Sequence, residues 1–286
     1  MRVTSKLSLL VLLIASFCHL SPTLAQTEDP LFASIRKAGG VKVAVVSLPP
    51  YMIMSPNGEA TGASIDLQNM VLKGMGLPAL TPVVTDWAAM IPSLQARHVD
   101  YVGAGWDITA ETCKVVIFST PYYALQAALY VLPGNPKHLT TVADVARGPA
   151  LKVAIIGRSS DYRRYALSQG VKPEQILDVP DHEAAVASVR GGRVDAFLVG
   201  QFGISDPEQK GVEEVVDERS PITAGGAVFR KEDARFRDAF NEQLNLLIKK
   251  GAIQKLYEKY GIANGDARVR LLGKYTKASD FLPSCE

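Results

Sequence analysis

Ser93-Leu94-Gln95-Ala96-Arg97-His98-Val99-Asp100 is followed by a glycine at 105, and Ser188-Val189-Arg190-Gly191-Gly192-Arg193-Val194-Asp195 is followed by a glycine at 200. Both stretches carry the same order of events: the end of a helix, a tight turn, Val-Asp, and a strand that stops at glycine. Helix-turn-strand units are common, so a chance match is the alternative. Taken as a repeat, the echo points to two α/β lobes of similar wiring. In open α/β sheets ligands bind beyond the carboxyl ends of strands. The segments after Asp100 and Asp195 would then face one cleft from opposite sides.

The flanking sequence fits that frame. Strands are expected over 41–46, 100–104, 127–132, 153–156, 194–199 and 227–230. Leu67, Met70, Val71 and Met75 fall on one face of a helix ended by Gly76 and Pro78. A short helix is expected over 90–97 with Pro92 in its first turn, another from about Ser160, and another over 183–190. A long one over 233–250 carries Phe236, Phe240, Leu244 and Leu247 on one side. Strands alternating with helices define an α/β class with largely parallel sheet. The length, 286 residues, suits one large domain or two ordinary ones.

The first residues have the make-up of an export signal. Arg2 and Lys6 form a positive start, an apolar core of 11 residues runs over 7–17, and Thr23-Leu24-Ala25 is a small-residue cleavage site. Residues 1–25 are therefore expected to be removed, leaving Gln26 first. The apolar run is too short to cross a bilayer, which takes about 20 residues. Phe17 fills the position before Cys18 where lipoprotein signals want a small residue, so no lipid is expected. Losing Arg2 and Lys6 leaves 29 basic residues against 29 acidic. That balance offers no electrostatic case for a nucleic-acid or membrane-surface partner.

Export changes how the cysteines read. With Cys18 removed, Cys113 and Cys285 remain in an oxidising compartment where a pair persists as a disulfide. Two unrelated thiols are the alternative, and the bridge is the favoured reading. The tail carrying Cys285 is expected to fray around it. No phosphate loop, dinucleotide fingerprint or nucleophile elbow is present, and His98, His138 and His182 stand isolated without metal-ligand spacing. Neither a cofactor nor a metal is expected, and a binder is a better reading than an enzyme.

The sequence resembles a known family. Pro49-Pro50-Tyr51, Gly62-Ala63-Ser64-Ile65-Asp66-Leu67, Trp87, Met90-Ile91-Pro92-Ser93-Leu94, Asp107-Ile108-Thr109-Ala110-Glu111-Thr112, Phe118-Ser119-Thr120-Pro121-Tyr122-Tyr123, Gly192-Arg193-Val194-Asp195-Ala196 and Phe229-Arg230-Lys231 occur in the family's order. Over 36–262 the chain resembles the extracellular solute-binding proteins of family 3, which serve polar amino acid ABC importers. It leans to the ectoine/hydroxyectoine-binding branch through Cys113 beside Glu111-Thr112, the run 224–231 and a cysteine near the C-terminus. The resemblance implies a two-lobed periplasmic binding protein fold with two hinge strands and a ligand cleft between the lobes. Lobe one would comprise 26–131 plus 224–286 and lobe two 135–221, with 127–132 and 223–228 as crossovers. It implies a monomer in the periplasm that takes a small polar solute and delivers it to an ABC permease in the inner membrane. A periplasmic enzyme on this scaffold, resembling cyclohexadienyl dehydratase, and a sensory solute receptor are the alternatives.

Site residues carry over position by position. In the family an arginine holds the carboxylate of an amino acid where this chain has Thr112. An aspartate closing the second-lobe strand holds the ammonium where this chain has Gly200. Without that charged clamp, ordinary α-amino acid binding is not expected, because a hydroxyl supplies neither charge nor fork geometry. Tyr51 and Trp87 match the family's aromatic walls. Trp106 and Asp107 would complete an aromatic surface with one carboxylate, suited to a cationic nitrogen. A core tryptophan is the other reading of Trp106, and a helix cap that of Asp107. Arg158 and Ser159 open a helix after a strand, where amides favour an anion. A solvated surface arginine is the plainer reading of Arg158.

Overall fold

The computed structural model describes residues 29–157 and 161–285. The expected leader, 1–25, and the candidate residues Arg158 and Ser159 lie outside the described residues.

The chain begins with α1 (Pro30–Ala38), whose Asp29 cap accepts from the Leu31 amide, and enters β1 (Val41–Val45). A short hairpin of β2 (Ile53–Met54) and β3 (Ala60–Thr61) leads to α2 (Ala63–Gly74), β4 (Leu80–Val84), α3 (Trp87–Gln95) and β5 (Tyr101–Asp107). After β6 (Ile117–Phe118) and β7 (Tyr123–Leu125) the chain leaves this sheet. The second unit runs β8 (Ala127–Val131), α4 (Val142–Arg147), β9 (Val153–Ile156), α5 (Asp161–Ser168), β10 (Ile176–Val179), α6 (His182–Arg190), β11 (Ala196–Gly200) and β12 (Glu213–Val216). The chain then returns through β13 (Thr223–Phe229) and closes with α7 (Ala234–Lys249), α8 (Ala252–Lys259), α9 (Gly265–Leu272) and α10 (Ala278–Phe281).

The sheets run β4-β1-β5-β13-β6, with β7 also on β13, and β10-β9-β11-β8-β12. Each has its first parallel strand between the second and the third, and the third pairs with an antiparallel strand that adjoins a crossing. This is the repeat that the echoed octapeptides announce, and its local cause is visible. Asp100 accepts from the Lys42 amide at 2.7 Å, and Asp195 accepts from the Lys152 amide at 2.8 Å. In return the amides of Asp100 and Asp195 donate to the Lys42 and Lys152 carbonyls. Each aspartate ties the start of the third strand to the first. The preceding turns match as well: Arg97 and Gly192 both take left-handed φ, +59° and +68°. That geometry lets the amides of His98 and Arg193 reach back to the carbonyls of Ser93 and Ser188.

Alternation along the strands builds the cores. In the second unit Leu129, Val131, Ile155 and Leu198 bury on one face, and Tyr130, Ala154 and Phe197 on the other. In the first, α7 lays Phe236, Phe240 and Leu244 against β5 and β13, where Tyr101 and Phe229 complete an aromatic cluster with centroids 5.3–6.4 Å apart.

Four expectations need correction, the place of the crossings among them. The helix expected over 90–97 begins at Trp87, so Pro92 is interior rather than in the first turn. The strand expected to stop near Gly105 runs on to Asp107, because β13 pairs with it as far as Gly225 opposite Asp107. The tail is not frayed: α9 and α10 pack with Leu272 and Ala278 buried, and Thr276 accepts from Thr120 Oγ1 and Asn245 Nδ2. The crossings themselves are short. One is Gln126 and the other is 217–222, and both 127–131 and 223–229 lie within their sheets. Gln126 Nε2 donates to the Glu218 and Ser220 carbonyls, which holds the two crossings side by side.

Candidate functional site

A cavity of about 620 Å³ opens at the carboxyl ends of β1 and β5. Its floor and walls come from the first sheet, the β7 end and the C-terminal helices. Gly105 is what permits the floor. It holds φ +77° inside β5, and a side chain there would press on Tyr123 Cε1 at 3.2 Å. The strand beyond it presents Trp106 and Asp107 to the cavity. On β13, a Cβ at Gly225 would collide with the Tyr123 ring. The ring lies over that glycine, and its hydroxyl donates to Asp107 Oδ1.

At the end of β5 both Trp106 and Asp107 line the cavity. Asp107 caps no helix: the nearby turn of helix, Thr112–Lys114, has Glu111 at its cap. Trp106 is half-buried and faces the cavity, with its ring 5.5 Å from that of Trp87. Trp87, first residue of α3, is 44% exposed although it is a large apolar ring. Such exposure inside a concave site is what a solute-stacking wall requires. Tyr51 lines the same cavity after a cis Pro49–Pro50 bond, and Ser64 and Thr109 add hydroxyls.

Burial pushes the Asp107 carboxyl above its ordinary value near 3.8, and the Tyr123 hydrogen bond pulls it back part of the way. Burial also raises the Tyr123 hydroxyl, helped by the neighbouring carboxylate. Tyr162, from α5 of the second unit, is pushed up to about 12 by burial and then by Asp107. Asp107 is thus hydrogen-bonded by Tyr123 of the first sheet, and its charge is felt by Tyr162 on a helix of the second unit.

Thr112 does not line the cavity. Its hydroxyl is turned onto Thr109, with the two Oγ1 atoms 2.9 Å apart, so it cannot stand in for the missing arginine. Gly200 ends β11 and does not line this cavity; a Cβ there would collide with the Tyr162 hydroxyl and press on Leu125 Cδ1 at 3.1 Å. The tyrosine occupies the place of a second-lobe side chain. Cys113 and Cys285 are joined, with Cα atoms 5.1 Å apart, and fasten the tail beside Thr112. The polar and aromatic cavity residues that the sequence did not single out as site candidates include Ser64, Thr109, Tyr122, Tyr123, Tyr257 and Arg268. Tyr122-Tyr123 stood in the quoted motif. The pairing of Gly225 with Tyr123, which only the sheet register reveals, was the missing signal.

Two sheets of one wiring joined by two crossings, with a cavity at the strand ends, are the architecture of a two-lobed binding protein. The chain belongs to the bacterial extracellular solute-binding proteins, family 3, whose profile matches residues 41–263. A probable amino-acid ABC transporter periplasmic-binding protein of Sinorhizobium fredii is 30% identical over 238 residues, covering 79% of this chain and 78% of that one. The L-cystine-binding protein TcyJ of Escherichia coli is 27% identical over 237 residues, covering 82% and 86%. Among solved structures, EhuB in complex with hydroxyectoine aligns at a TM-score of 0.63 with 27% identity, covering 88% of this chain and 97% of that one. An ancestral cationic amino acid solute-binding protein aligns at 0.67 with 28% identity, covering 80% and 98%. The chain is thus similar to periplasmic solute-binding proteins of ABC transporters. Such proteins bind a small polar solute and pass it to a permease.

Proposed function

We propose that this protein is the periplasmic receptor of an ABC importer for a small polar solute, amino-acid-like or a compatible solute, with a substituted or delocalised cationic nitrogen. One observation carries the reading: among the described lining residues one carboxylate, Asp107, stands in a cavity walled by Tyr51, Trp87, Trp106 and Tyr123. Desolvated aromatic faces attract a cation by roughly 0.5–2 kcal/mol each, and the carboxylate fixes where the nitrogen sits. Closure of one lobe on the other, as in other periplasmic binding proteins, would bring Tyr162 to the same group. A leader removed after Ala25, a monomer, and lobes divided near the two crossings complete the proposal. Among the described residues no helix is long and apolar enough to cross a membrane, which accords with release into the periplasm.

Binding rather than catalysis is favoured because the relatives are solute-binding proteins by name. One structural neighbour is described as a precursor of cyclohexadienyl dehydratase, and it is itself an amino-acid-binding protein. A thermal-shift screen over amino acids, ectoines, betaines, polyamines and opines tests the reading. A solute at a hundredfold excess over its Kd stabilises the native state by about 2.7 kcal/mol. Hydroxyectoine or another substituted-nitrogen solute should raise Tm, whereas glutamine, glutamate and histidine should not. Stabilisation by those three alone would overturn the proposal.

A further inference from the structure

The cavity holds two ionic groups among its described lining residues, Asp107 and Arg268. Arg268 lies on α9, beyond residue 263 where the family match ends. The segment that carries it is built in from several sides. The Cys113–Cys285 bridge, the Thr120 and Asn245 bonds to Thr276, and the buried Leu272 fix α9 and α10 on the first sheet. The guanidinium itself is set between elements of both lobes. Its carbon is 4.3 Å from the Phe202 ring centroid, just past Gly200, and 5.8 Å from that of Tyr257. Nε donates to the Ala263 carbonyl at 3.0 Å and Nη2 to the Phe202 carbonyl at 3.3 Å. Five donors are available on an arginine. Neither Nη1 nor the second hydrogen of Nη2 has a partner among the described residues.

Building on the receptor reading, we infer that Arg268 is the anion-binding and specificity-determining residue of this cleft, so that the solute carries a carboxylate opposite its cationic nitrogen. Thr112 and Gly200 leave the family's two charged positions empty, and the cavity restores both charges from other places: the acid from the end of β5, the base from the added tail. The Phe202 ring and the two carbonyl bonds hold the guanidinium in place, which lowers the ordering cost of a forked contact. Because Phe202 belongs to lobe two, an anion on Arg268 is also reported to the lobe interface.

The test uses matched probes that differ in the carboxylate: glycine betaine against choline, L-arginine against agmatine, and L-lysine against cadaverine, with hydroxyectoine added. Wild type should prefer the carboxylate-bearing member of at least one pair by tenfold or more in Kd by calorimetry. Arg268→Gln should abolish that preference while leaving the cationic partner within about threefold. Arg268→Lys, which keeps the charge but not the fork, should fall between. Phe202→Leu controls for the lobe contact. It removes the ring that holds the guanidinium and should lower the carboxylate preference only in part, whereas a purely structural latch would make Phe202→Leu and Arg268→Gln alike and shift both members of a pair together. A carboxylate preference that survives in Arg268→Gln, or binding without any such preference, overturns this inference and leaves the receptor reading in place. Binding of none of these probes counts against both.

Discussion

Asp100 and Asp195 hold corresponding positions in the two lobes, but the strands that follow them end differently. Each carboxylate accepts from the amide of a lysine on the first strand of its sheet, at 2.7 and 2.8 Å. Past Asp100, β5 bends through Gly105 and delivers Trp106 and Asp107 to the cavity. Past Asp195, β11 stops at Gly200 with no side chain to offer. The repeated part of the lobe is the clamp that orders its sheet. The specific part is the end of the third strand, where β5 runs on past Gly105 against Gly225 and Gly226 of β13 while β11 stops. All the described cavity-lining residues belong to lobe one, and the disulfide staples the tail to that lobe.

Breaking the staple is expected to give the largest effect and to separate the lobes most sharply. The Cys113–Cys285 bridge closes a separation of 172 residues. Chain entropy sets an upper figure of about 5 kcal/mol for so long a loop. Because the tail is docked, with Cys285 only 3% exposed, a loss of about 2–5 kcal/mol is expected for Cys113→Ala/Cys285→Ala. Hydrogen exchange should show the loss in the aromatic cluster around Tyr101 and Phe236, with the strands of lobe two nearly unchanged. Equal loosening of both lobes would mean that the bridge acts on the crossings instead.

Next comes the grip on the solute. Trp87→Ala should weaken binding of the best solute by about a hundredfold, roughly 3 kcal/mol, with little change in the unliganded Tm because the ring is 44% exposed. Tyr162→Phe, which removes one hydroxyl from the lobe-two side, should cost nearer tenfold, in the range of a hydrogen bond to a charged group. Calorimetry on the two variants checks the ordering. A larger loss for Tyr162→Phe would place the main binding face in lobe two.

Asp107 adds a pH test. Its folded-state pKa is raised, chiefly by burial, so the native state holds a proton more tightly than the unfolded chain does. This group's contribution to stability is then largest at low pH and is lost as pH rises through the raised value. Affinity for a cationic solute moves the other way, since only the ionised carboxylate attracts it. Binding should weaken on acidification, starting above the ordinary value near 3.8. Asp107→Asn keeps an acceptor for Tyr123. It should flatten that pH dependence, weaken a cationic solute about tenfold, and raise the neutral-pH stability of the unliganded protein by about 1 kcal/mol. An unaltered pH profile in Asp107→Asn would assign the titration to another group.

How far the sequence reached follows the same division. The echo, the α/β alternation and the long amphipathic helix were legible because they depend on local periodicity and turn chemistry. Tyr51, Trp87, Trp106 and Asp107 were legible as candidates because they sit at strand ends or match family positions. Whether Asp107 faced a cavity or capped a helix turned on how far β13 extends the pairing of β5, a contact between residues far apart in sequence. Arg268 gave no local sign at all. Its place depends on a tail docked through Cys285, Thr276 and Leu272, and no periodicity in 264–286 announces where that tail lies.

The smallest expected effect tests the repeat itself, at the left-handed position of the two turns, where one has a side chain and the other a glycine. Arg97 and Gly192 occupy the same left-handed place after their helices, φ +59° and +68°. A side chain in that region costs roughly 1 kcal/mol relative to glycine, offset in part by the greater freedom glycine has in the unfolded chain. Gly192→Ala should therefore destabilise lobe two by about 1 kcal/mol; no heavy atom lies within 4 Å of a Cβ there, so strain and not collision is the cause. Arg97→Gly should gain less. It gives up the 2.7 Å ion pair with Glu232, whose partners are 62% and 55% exposed and whose worth is accordingly small. Urea unfolding of Arg97→Gly, Arg97→Ala and Gly192→Ala reads these differences directly. If the turns are equivalent, the Gly-to-Ala step costs the same at 97 and at 192 once the ion pair is absent from both. Unequal costs would show that the echo is a likeness of sequence and not a shared turn.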